Sequence, residues 1–423
     1  MHSKKKIKCI AITAEPPPYK LFWNDSRPKI SWDISENQWI GLWEYEWANV
    51  LAQEMLKLTD DFTFEYWQPD LIANTTYVHS LANNISHKLF PAAHKKKLYG
   101  LKTIQELFSP SMIAHLQAEA ADNDFILHLH GNPLLFKNII NSFKNKPIIS
   151  TYHGTIYLPH KRLLKLIKNI PSKINDIGNY FWMKKNINYI DAITYQNNTN
   201  ANALMRLYSN RLMKITMGCN FSYWLPGDRI SARKQLKLPD NKMIFFTASN
   251  LIPLKQIDKM IFTFNELSEK NDFLLIIAGH GEKDYEDYLN KISSHLIEKG
   301  KIKFISYLRD DALRSYYYAC DYYISTSISE GGPVSIMQAL ACNVPVVSTK
   351  TGNVAELMEY HNAGCLLNIN DYKKWRAKLE KVMKGGKIKL LDREIAKKYY
   401  DWQNIAKVFD SLYREMASKY HLL

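Results

Sequence analysis

The stretch that most constrains the fold of this chain is residues 321–357, DYYISTSISEGGPVSIMQALACNVPVVSTKTGNVAEL. A short β-prone run, Tyr322–Ile324, leads into a loop of small residues that ends at Gly332. Pro333 suits the first position of a helix, where its missing N–H removes no hydrogen bond. The residues from Val334 to Cys342 are apolar on nearly every side, which predicts a helix that is buried on most of its surface.

A glycine-bearing loop that follows a parallel strand and feeds a buried helix has a chemical consequence. The first N–H groups of a helix lack partners within it, and they form the positive end of the helix dipole. Such a terminus is a ready site for phosphate. Glu330 and Gln338 are eight residues apart, so helical spacing would bring both to one face. One side chain would then meet one end of a nucleotide sugar, and the other its ribose.

These residues resemble the retaining glycosyltransferases of family 4, which have the GT-B fold. The signature of that family is a Glu, seven residues and a second Glu, within a segment such as EGxPxxxxEAxAxGxPVV. The matching positions are Glu330, Gly331, Gly332, Pro333, Ala339, Ala341, Pro345, Val346 and Val347. Two positions depart from it, since Gln338 replaces the second Glu and Asn343 replaces a Gly. The resemblance is close over residues 242–367 and loose in the N-terminal half.

The resemblance implies an α/β fold of two Rossmann-like domains that face each other across a cleft. A chain of 423 residues is long for one domain and natural for two. We predict an acceptor-side domain over residues 1–225 and a nucleotide-sugar-binding domain over 226–395. Residues 396–423 would form helices that cross back to the first domain.

The predicted donor site combines the motif with residues near other strand ends. It comprises Gly41, Asn250, Lys255, Arg309, Glu330, Gly331, Gly332, Pro333, Val334 and Gln338. Lys255 follows a predicted strand and opens a helix, so its ammonium group would bind the diphosphate. The family has an Arg where this chain has Asn250, and Arg309 is a candidate replacement cation, although a surface Arg is the commoner case. Gln338 would bind ribose hydroxyls without charge assistance, or be a buried polar residue that the backbone satisfies.

The chemistry of sugar transfer sets what this site must do. Breaking the C1–O bond of a nucleotide sugar leaves a diphosphate, so cations or helix dipoles must stabilise the leaving group. The resemblance implies that Glu330 contacts the donor sugar, that the anomeric configuration is retained, and that the leaving phosphate takes the acceptor proton. We therefore assign no protein base. No Asp-x-Asp motif follows a predicted strand, so we expect neither a metal nor another cofactor beyond the UDP- or GDP-sugar.

The N-terminal half offers two histidines and a glycine. His130 and His153 each end or follow a predicted strand, where open α/β sheets bind ligands. The resemblance places His153 beside the sugar and acceptor, so we predict Glu330, His153 and Lys255 as catalytic and His130 and His153 as acceptor-side residues. Either histidine is alternatively a structural residue that holds a loop. Gly41 matches half of a glycine pair near the donor phosphates, or simply begins a helix.

The net charge of the chain and the distribution of that charge indicate which partners the protein binds. The formal charge is +15, and residues 151–214 carry ten Lys or Arg against two Asp. This excess indicates an anionic partner such as nucleic acid, acidic lipid or a charged glycan, or else a solvated face. Residues 158–189 have the basic, amphipathic pattern of a membrane-surface helix, or of a helix that packs its leucines on the core. The sequence has no apolar run of about 18 residues, as a membrane span requires.

The five cysteines are scattered and lack CxxC spacing, which predicts reduced thiols. We therefore expect a cytoplasmic protein, peripheral at the inner face of the membrane. Its expected activity is that of a hexosyltransferase acting on a glycan, lipid-linked or other acceptor in surface polysaccharide or glycolipid synthesis, with no specific nucleic acid. The alternatives are a degenerate GT-B protein that binds glycan or nucleic acid, and a GT-B sugar-nucleotide epimerase.

Overall fold

The computed structural model describes residues 6–14, 47–71, 73–82, 84–99, 102–122, 124–153, 170–306, 308 and 310–422. The chain divides into two compact units. The first contains Met1–Ile215 and Gln403–Leu423, and the second contains Thr216–Trp402. Each unit is an α/β structure with its own largely parallel sheet.

The first unit is built on an eight-stranded sheet in the order β10-β9-β8-β7-β1-β2-β4-β3. Its strands are β1 (Ile7–Thr13), β2 (Phe62–Asp70), β3 (Tyr77–Ala82), β4 (Ile85–Pro91), β7 (Phe125–His130), β8 (Ile148–Thr151), β9 (Ala192–Tyr195) and β10 (Arg211–Lys214). Within this sheet, as far as the structure describes it, β3 pairs antiparallel with β4 and every other pair is parallel. The strand order reverses between β1 and β7, so the carboxyl ends of these strands border the switch point at which such sheets bind ligands.

Helices connect these strands, and their bounds among the described residues are α1 (Trp47–Leu56), α2 (Pro110–Asp122), α3 (Lys137–Ser142), α4 (Ile170–Asn186) and α5 (Asn198–Leu204). The sequence of residues 103–118 indicates a single helix, and this prediction is wrong in its first part. Residues Lys102–Phe108 form strand β6, which pairs antiparallel along its whole length with β5 (Ala93–Tyr99). Helix α2 begins only after Ser109, whose hydroxyl oxygen accepts the Met112 N–H at 3.3 Å.

The second unit has a six-stranded, wholly parallel sheet in the order β13-β12-β11-β14-β15-β16. The strands are β11 (Met243–Ala248), β12 (Phe273–Ala278), β13 (Ile302–Ile305), β14 (Tyr322–Ser325), β15 (Val346–Thr349) and β16 (Cys365–Leu367). The helices are α6 (Arg229–Gln235), α7 (Ile257–Leu267), α8 (Lys283–Ile292), α9 (Ser294–Glu298), α10 (Asp310–Ala319), α11 (Val334–Ala341), α12 (Gly352–Tyr360), α13 (Tyr372–Met383) and α14 (Arg393–Tyr400). The sequence of this half indicates alternating apolar strands and helices, and this alternation is confirmed. It also indicates one helix over residues 285–299, where the structure has two, α8 and α9.

The division between the units falls at residue 216, not near Pro226 as predicted. The intervening segment packs into the second core, where Phe221 and Trp224 are buried beside Tyr400. The Cys219 N–H also donates to the Tyr400 carbonyl oxygen at 2.7 Å. For the same reason α14 belongs to the second unit. The final helix, α15 (Trp402–Lys419), provides the Gln403–Leu423 part of the first unit.

A buried arginine fixes the start of the two central strands of the second sheet. Arg233 donates to the carbonyl oxygens of Ala319, Asp240 and Lys242 and to Asp321 Oδ2, which lies 2.6 Å away. Asp321 Oδ2 also accepts the Ile244 N–H at 2.7 Å. A buried guanidinium group needs such a complete set of acceptors, because burying a charge without partners is costly. Since Asp321 precedes β14 and Ile244 lies in β11, these contacts hold the two strands together.

All five cysteines are buried free thiols. Among the helices that the structure describes, none is both long and apolar enough to cross a bilayer.

Candidate functional site

A pocket of about 410 Å³ lies at the carboxyl edge of the second sheet. The ends of β11 and β12 contribute one wall, and the first turns of α11 contribute the other. Strand order reverses between β11 and β14, so this edge is the switch point of the sheet. The residues that line it are Ala248, Ser249, Asn250, Lys255, Ala278, Gly279, Leu308, Leu313, Glu330, Gly332, Pro333, Val334, Ser335 and Gln338. Seven predicted donor-site residues are therefore brought together in one pocket.

The loop that carries Lys255 is tied to the loop that carries Glu330. Lys255 ends a short 3-10 helix, Pro253–Lys255, and Gln256 follows with a left-handed φ of 50°. The Thr326 hydroxyl lies 2.8 Å from the Lys255 carbonyl oxygen and 3.0 Å from that of Gln256. The Ile328 N–H also donates to the Leu254 carbonyl oxygen at 3.1 Å. These bonds hold the two loops side by side.

The result is an ion pair inside the pocket. Lys255 Nζ lies 2.6 Å from Glu330 Oε1, and the two side chains are 20% and 14% exposed. In this geometry the carboxylate neutralises the cation and keeps it at the pocket wall. An incoming diphosphate would compete with Glu330 for the same ammonium group.

The Glu330 loop depends on a glycine across from it. Gly352 has a φ of +75°, and a Cβ there would lie 3.0 Å from both Glu330 Cβ and Pro333 Cδ. The next residue, Asn353, donates its N–H to the Gly331 carbonyl oxygen at 3.1 Å. A side chain at position 352 would strain the backbone and push Glu330 from its place.

Helix α11 points its N-terminus into the pocket. Pro333 occupies its N-cap position and makes no side-chain capping bond. Val334 and Ser335 line the pocket directly, so the positive end of the helix dipole lies at its wall. Gly331 is buried beside this wall and is not a lining residue.

The second anchor of the motif, Gln338, is half-buried and contacts a tyrosine. The Tyr317 hydroxyl lies 3.0 Å from Gln338 Oε1 and 2.8 Å from the Ser335 carbonyl oxygen. Tyr317 is fully buried in α10. Sequence reasoning missed it because its partner is 21 residues away, on another helix.

The other predicted donor residues divide into two groups. Asn250 is exposed and lines the pocket. Arg309 and Gly41 lie outside the described residues. Residues 158–169, which are the first part of the predicted membrane segment, also lie outside them. Among the lining residues that the structure describes, Lys255 is the sole cation. Nor do the described residues include a cluster of three or more His, Cys, Asp or Glu side chains that would hold a metal ion.

In the first unit, His130 and His153 meet at the switch point of the sheet. His153 Nε2 lies 3.4 Å from His130 Nδ1, and Trp47 Nε1 lies 2.7 Å from the ring nitrogens of His153. A third histidine, His128, joins them, and its Nδ1 is 2.5 Å from the Tyr413 hydroxyl. Sequence reasoning missed His128, although its spacing of two from His130 within a strand places both on one face.

Burial keeps these three rings uncharged. Desolvation lowers the pKa of His153 to about 3. Desolvation, with the charge that His153 would carry, likewise lowers the pKa of His128 to about 3. The pKa of His130 is lowered well below its usual range for the same reasons. At neutral pH the cluster therefore offers hydrogen bonds and ring faces, and no positive charge.

Comparison with known proteins agrees with this geometry. Residues 228–402 match the family described as "Glycosyl transferases group 1". This part of the chain therefore resembles a group 1 glycosyltransferase domain. The match covers the whole pocket, from the end of β11 to α11, and it supports the predicted resemblance to family 4.

The curated relatives that this chain matches are distant in sequence. A D-inositol 3-phosphate glycosyltransferase of Stackebrandtia nassauensis is 25% identical over 204 residues, which is 46% of each chain. An uncharacterized glycosyltransferase of Methanocaldococcus jannaschii is 24% identical over 191 residues, or 44% of this chain and 48% of that one. The chain thus spans about half the length of the curated relatives that it matches.

Solved structures match the chain over both of its units. Sucrose-phosphate synthase from Thermosynechococcus elongatus has a TM-score of 0.69 at 14% identity, and the match covers 98% of this chain and 100% of that one. The Anabaena protein HepE, in complex with UDP and glucose, has a TM-score of 0.62 at 15% identity, with 96% and 99% covered. At such identities the likeness concerns the fold alone, and the predicted GT-B fold class is confirmed.

Proposed function

We propose that this protein is a retaining glycosyltransferase that moves a sugar from a UDP- or GDP-sugar to an acceptor. The observation that carries the proposal is the Lys255–Glu330 ion pair at the N-terminus of α11, with Gln338 in the same pocket. A cation beside a helix N-terminus suits a diphosphate, and a carboxylate suits sugar hydroxyls. The pocket volume of about 410 Å³ is in the range of small-molecule sites.

The proposed mechanism needs no metal and no protein base. Lys255 exchanges Glu330 for the diphosphate, and the dipole of α11 adds to the charge stabilisation as the C1–O bond breaks. Glu330 then accepts hydrogen bonds from the donor sugar and holds it at the reacting face. The leaving phosphate takes the proton of the acceptor hydroxyl. Retention follows from the resemblance to family 4, and proton NMR of the product anomer tests it.

The acceptor side is assigned to the histidine cluster of the first unit. Neutral His130 and His153, held by Trp47, suit a hydroxyl acceptor because their nitrogens donate or accept without attracting phosphate. Acceptors to try include glycans and lipid-linked sugars of surface polysaccharide or glycolipid synthesis. The name of the Stackebrandtia relative adds inositol 3-phosphate to that set.

A thermal-shift series tests the donor claim. We expect UDP or GDP, alone or as its sugar conjugate, to stabilise the protein by about 2.7 kcal/mol at a hundred times its dissociation constant. Uridine and guanosine are the matched controls, because they lack the diphosphate that Lys255 would bind, and they should stabilise far less. A flat response to every nucleotide and nucleotide sugar would contradict the proposal.

Two alternatives make different predictions. A degenerate GT-B protein would bind DNA or a charged glycan with strong salt dependence and would show no nucleotide-sugar binding. The absence of a cation at Asn250 and of a carboxylate at Gln338 favours this reading. An epimerase would bind the nucleotide sugar and change its stereochemistry with no acceptor present.

We further propose that the first unit docks at the inner, anionic face of a membrane. In the described part of α4, Phe181 is 62% exposed and Lys184 and Lys185 are exposed. Met183 is buried in the core at the same time, so the helix packs on one side and presents a basic, aromatic face on the other. Such a face suits acidic lipid headgroups.

Flotation with liposomes tests this docking. The wild-type protein should float with vesicles of phosphatidylcholine and phosphatidylserine, and less with phosphatidylcholine alone. Phe181→Ser combined with Lys184→Ser and Lys185→Ser should reduce flotation several-fold. Phe262→Ser, at an aromatic that is 44% exposed on the second unit, should leave it unchanged. Absence of binding to either vesicle would remove the docking idea.

A further inference from the structure

The Tyr317 hydroxyl lies within hydrogen-bonding distance of two groups, the Ser335 carbonyl oxygen and the Gln338 side-chain amide. The buried hydroxyl of Tyr317 lies 2.8 Å from the Ser335 carbonyl oxygen and 3.0 Å from the terminal group of Gln338. Ser335 and Gln338 both line the donor pocket, whereas Tyr317 stands behind them. A carbonyl oxygen only accepts, and a phenol has one proton to donate.

The number of protons available for donation determines which end of the Gln338 amide faces the Tyr317 hydroxyl. If the oxygen of Gln338 faces Tyr317, the single proton must choose between two acceptors, and one contact lacks a hydrogen. If the amide turns by a half rotation, Tyr317 donates to Ser335 and the Gln338 amide nitrogen donates to the phenol oxygen. Both short contacts are then hydrogen bonds. The second arrangement satisfies one more polar group in a buried setting, where an unmade bond is costly.

We propose that Tyr317 is a positioning residue that turns the carbonyl oxygen of Gln338 into the pocket, where it accepts a hydrogen bond from a ribose hydroxyl of the donor nucleotide. The identity of this ligand rests on the proposed function, whereas the orientation of the amide does not. Gln338 then presents the same kind of acceptor as a carboxylate would, without its charge. Although Gln338 replaces the second Glu of the family motif, it can therefore still accept a hydrogen bond from a hydroxyl group.

The surroundings of Tyr317 are rigid enough for this role. Its ring stacks on Tyr323 at 5.6 Å and meets the edges of Phe246 and Trp224 at 5.3 and 5.6 Å. A hydroxyl fixed by three aromatic neighbours has one position, so the amide that bonds to it has one preferred rotamer. Removal of the hydroxyl would free Gln338 to turn in either sense.

The orientation is tested in the free protein by NMR. Glutamine is labelled with ¹⁵N, and the Gln338 side-chain amide is identified by its loss in Gln338→Met. We expect its hydrogens to exchange about fivefold more slowly in wild type than in Tyr317→Phe, which is the change expected for one hydrogen bond. Equal exchange in the two proteins would overturn the orientation, because an amide nitrogen that faces the pocket does not depend on the phenol.

Tyr323→Phe is the matched control for this experiment. Tyr323 is equally buried, and its hydroxyl donates to the Ala248 carbonyl oxygen at 3.1 Å. This variant removes a phenolic hydrogen bond from the same wall without touching Gln338. It should keep the slow exchange. Fast exchange in both variants would show a general loosening of the wall and would also overturn the specific role of Tyr317.

The ligand is tested by calorimetry with the nucleoside diphosphate that binds and with its 2′-deoxy and 3′-deoxy forms. In wild type, loss of one of the two hydroxyls should weaken binding about fivefold. In Tyr317→Phe the deoxy and parent nucleotides should bind within twofold of each other, while Tyr323→Phe keeps the discrimination. Binding without any discrimination in wild type would refute the ligand assignment. Absence of all nucleotide binding would instead refute the proposed function, and the NMR result would still decide the orientation.

Discussion

Lys255→Met is expected to weaken binding of the nucleoside diphosphate by about 10- to 100-fold. A hydrogen bond to a charged group contributes about 1.5–3 kcal/mol, and Lys255 is the cation that lines the described pocket. The substitution also removes the ammonium group that lies 2.6 Å from the Glu330 carboxylate, so a negative charge that this cation no longer neutralises would face the incoming phosphates. Isothermal titration calorimetry of the variant and the wild type measures the change.

Two further variants test whether the weaker nucleotide binding is due to the loss of the Lys255 ammonium group itself. Lys303→Met removes an exposed lysine of the same unit, so it matches the change in net charge and should bind normally. Lys255→Met with Glu330→Gln restores a neutral pocket and should recover the folding stability that the single variant loses, while nucleotide binding stays weak. Normal affinity in Lys255→Met would show that the phosphates do not bind at this ammonium group.

Glu330→Gln should separate nucleotide binding from sugar transfer. Without the carboxylate, Lys255 is no longer neutralised by the contact at 2.6 Å, so the nucleoside diphosphate should bind as well as in wild type or more tightly. Transfer should fall by about 10²- to 10³-fold, as is typical when one electrostatic contact to a reacting group is removed. Release of the nucleoside diphosphate from the nucleotide sugar, with and without acceptor, measures this rate.

The control for this variant is a surface ion pair of the same kind. Glu359 lies 2.6 Å from Lys350, and both side chains are more than half exposed, so Glu359→Gln should transfer sugar at the wild-type rate. Full activity in Glu330→Gln would remove Glu330 from the mechanism. Loss of nucleotide binding together with activity would show that the carboxylate supports the pocket itself.

The second unit was predictable from sequence because each of its elements is a local pattern. Apolar strands and amphipathic helices alternate there, and the segment around Glu330 combines a strand, a glycine loop and a buried helix. The ends of parallel strands meet at one edge, so residues 75 positions apart, such as Lys255 and Glu330, could be expected in one pocket. Their direct ion pair could not, since it depends on how the Thr326 hydroxyl ties the two loops together.

The first unit was less predictable because long-range pairing overrides its local patterns. Residues Lys102–Phe108 have a helical pattern of apolar residues, yet they pair as strand β6 with β5. Strand β4 pairs with β2 on one side and with β3 on the other, which one sequence does not reveal. His128 was overlooked because a histidine within an apolar strand is usually a satisfied core residue. Its contact with Tyr413, 285 positions away, is visible only in the folded chain.

The most direct test of the central claim is a crystal structure of the protein with the nucleoside diphosphate that stabilises it. We predict that a phosphate oxygen lies about 3 Å from Lys255 Nζ, at the N-terminus of α11, and that the contact of 2.6 Å between Lys255 and Glu330 is broken. A nucleotide bound elsewhere, or an intact Lys255–Glu330 pair beside it, would contradict the account.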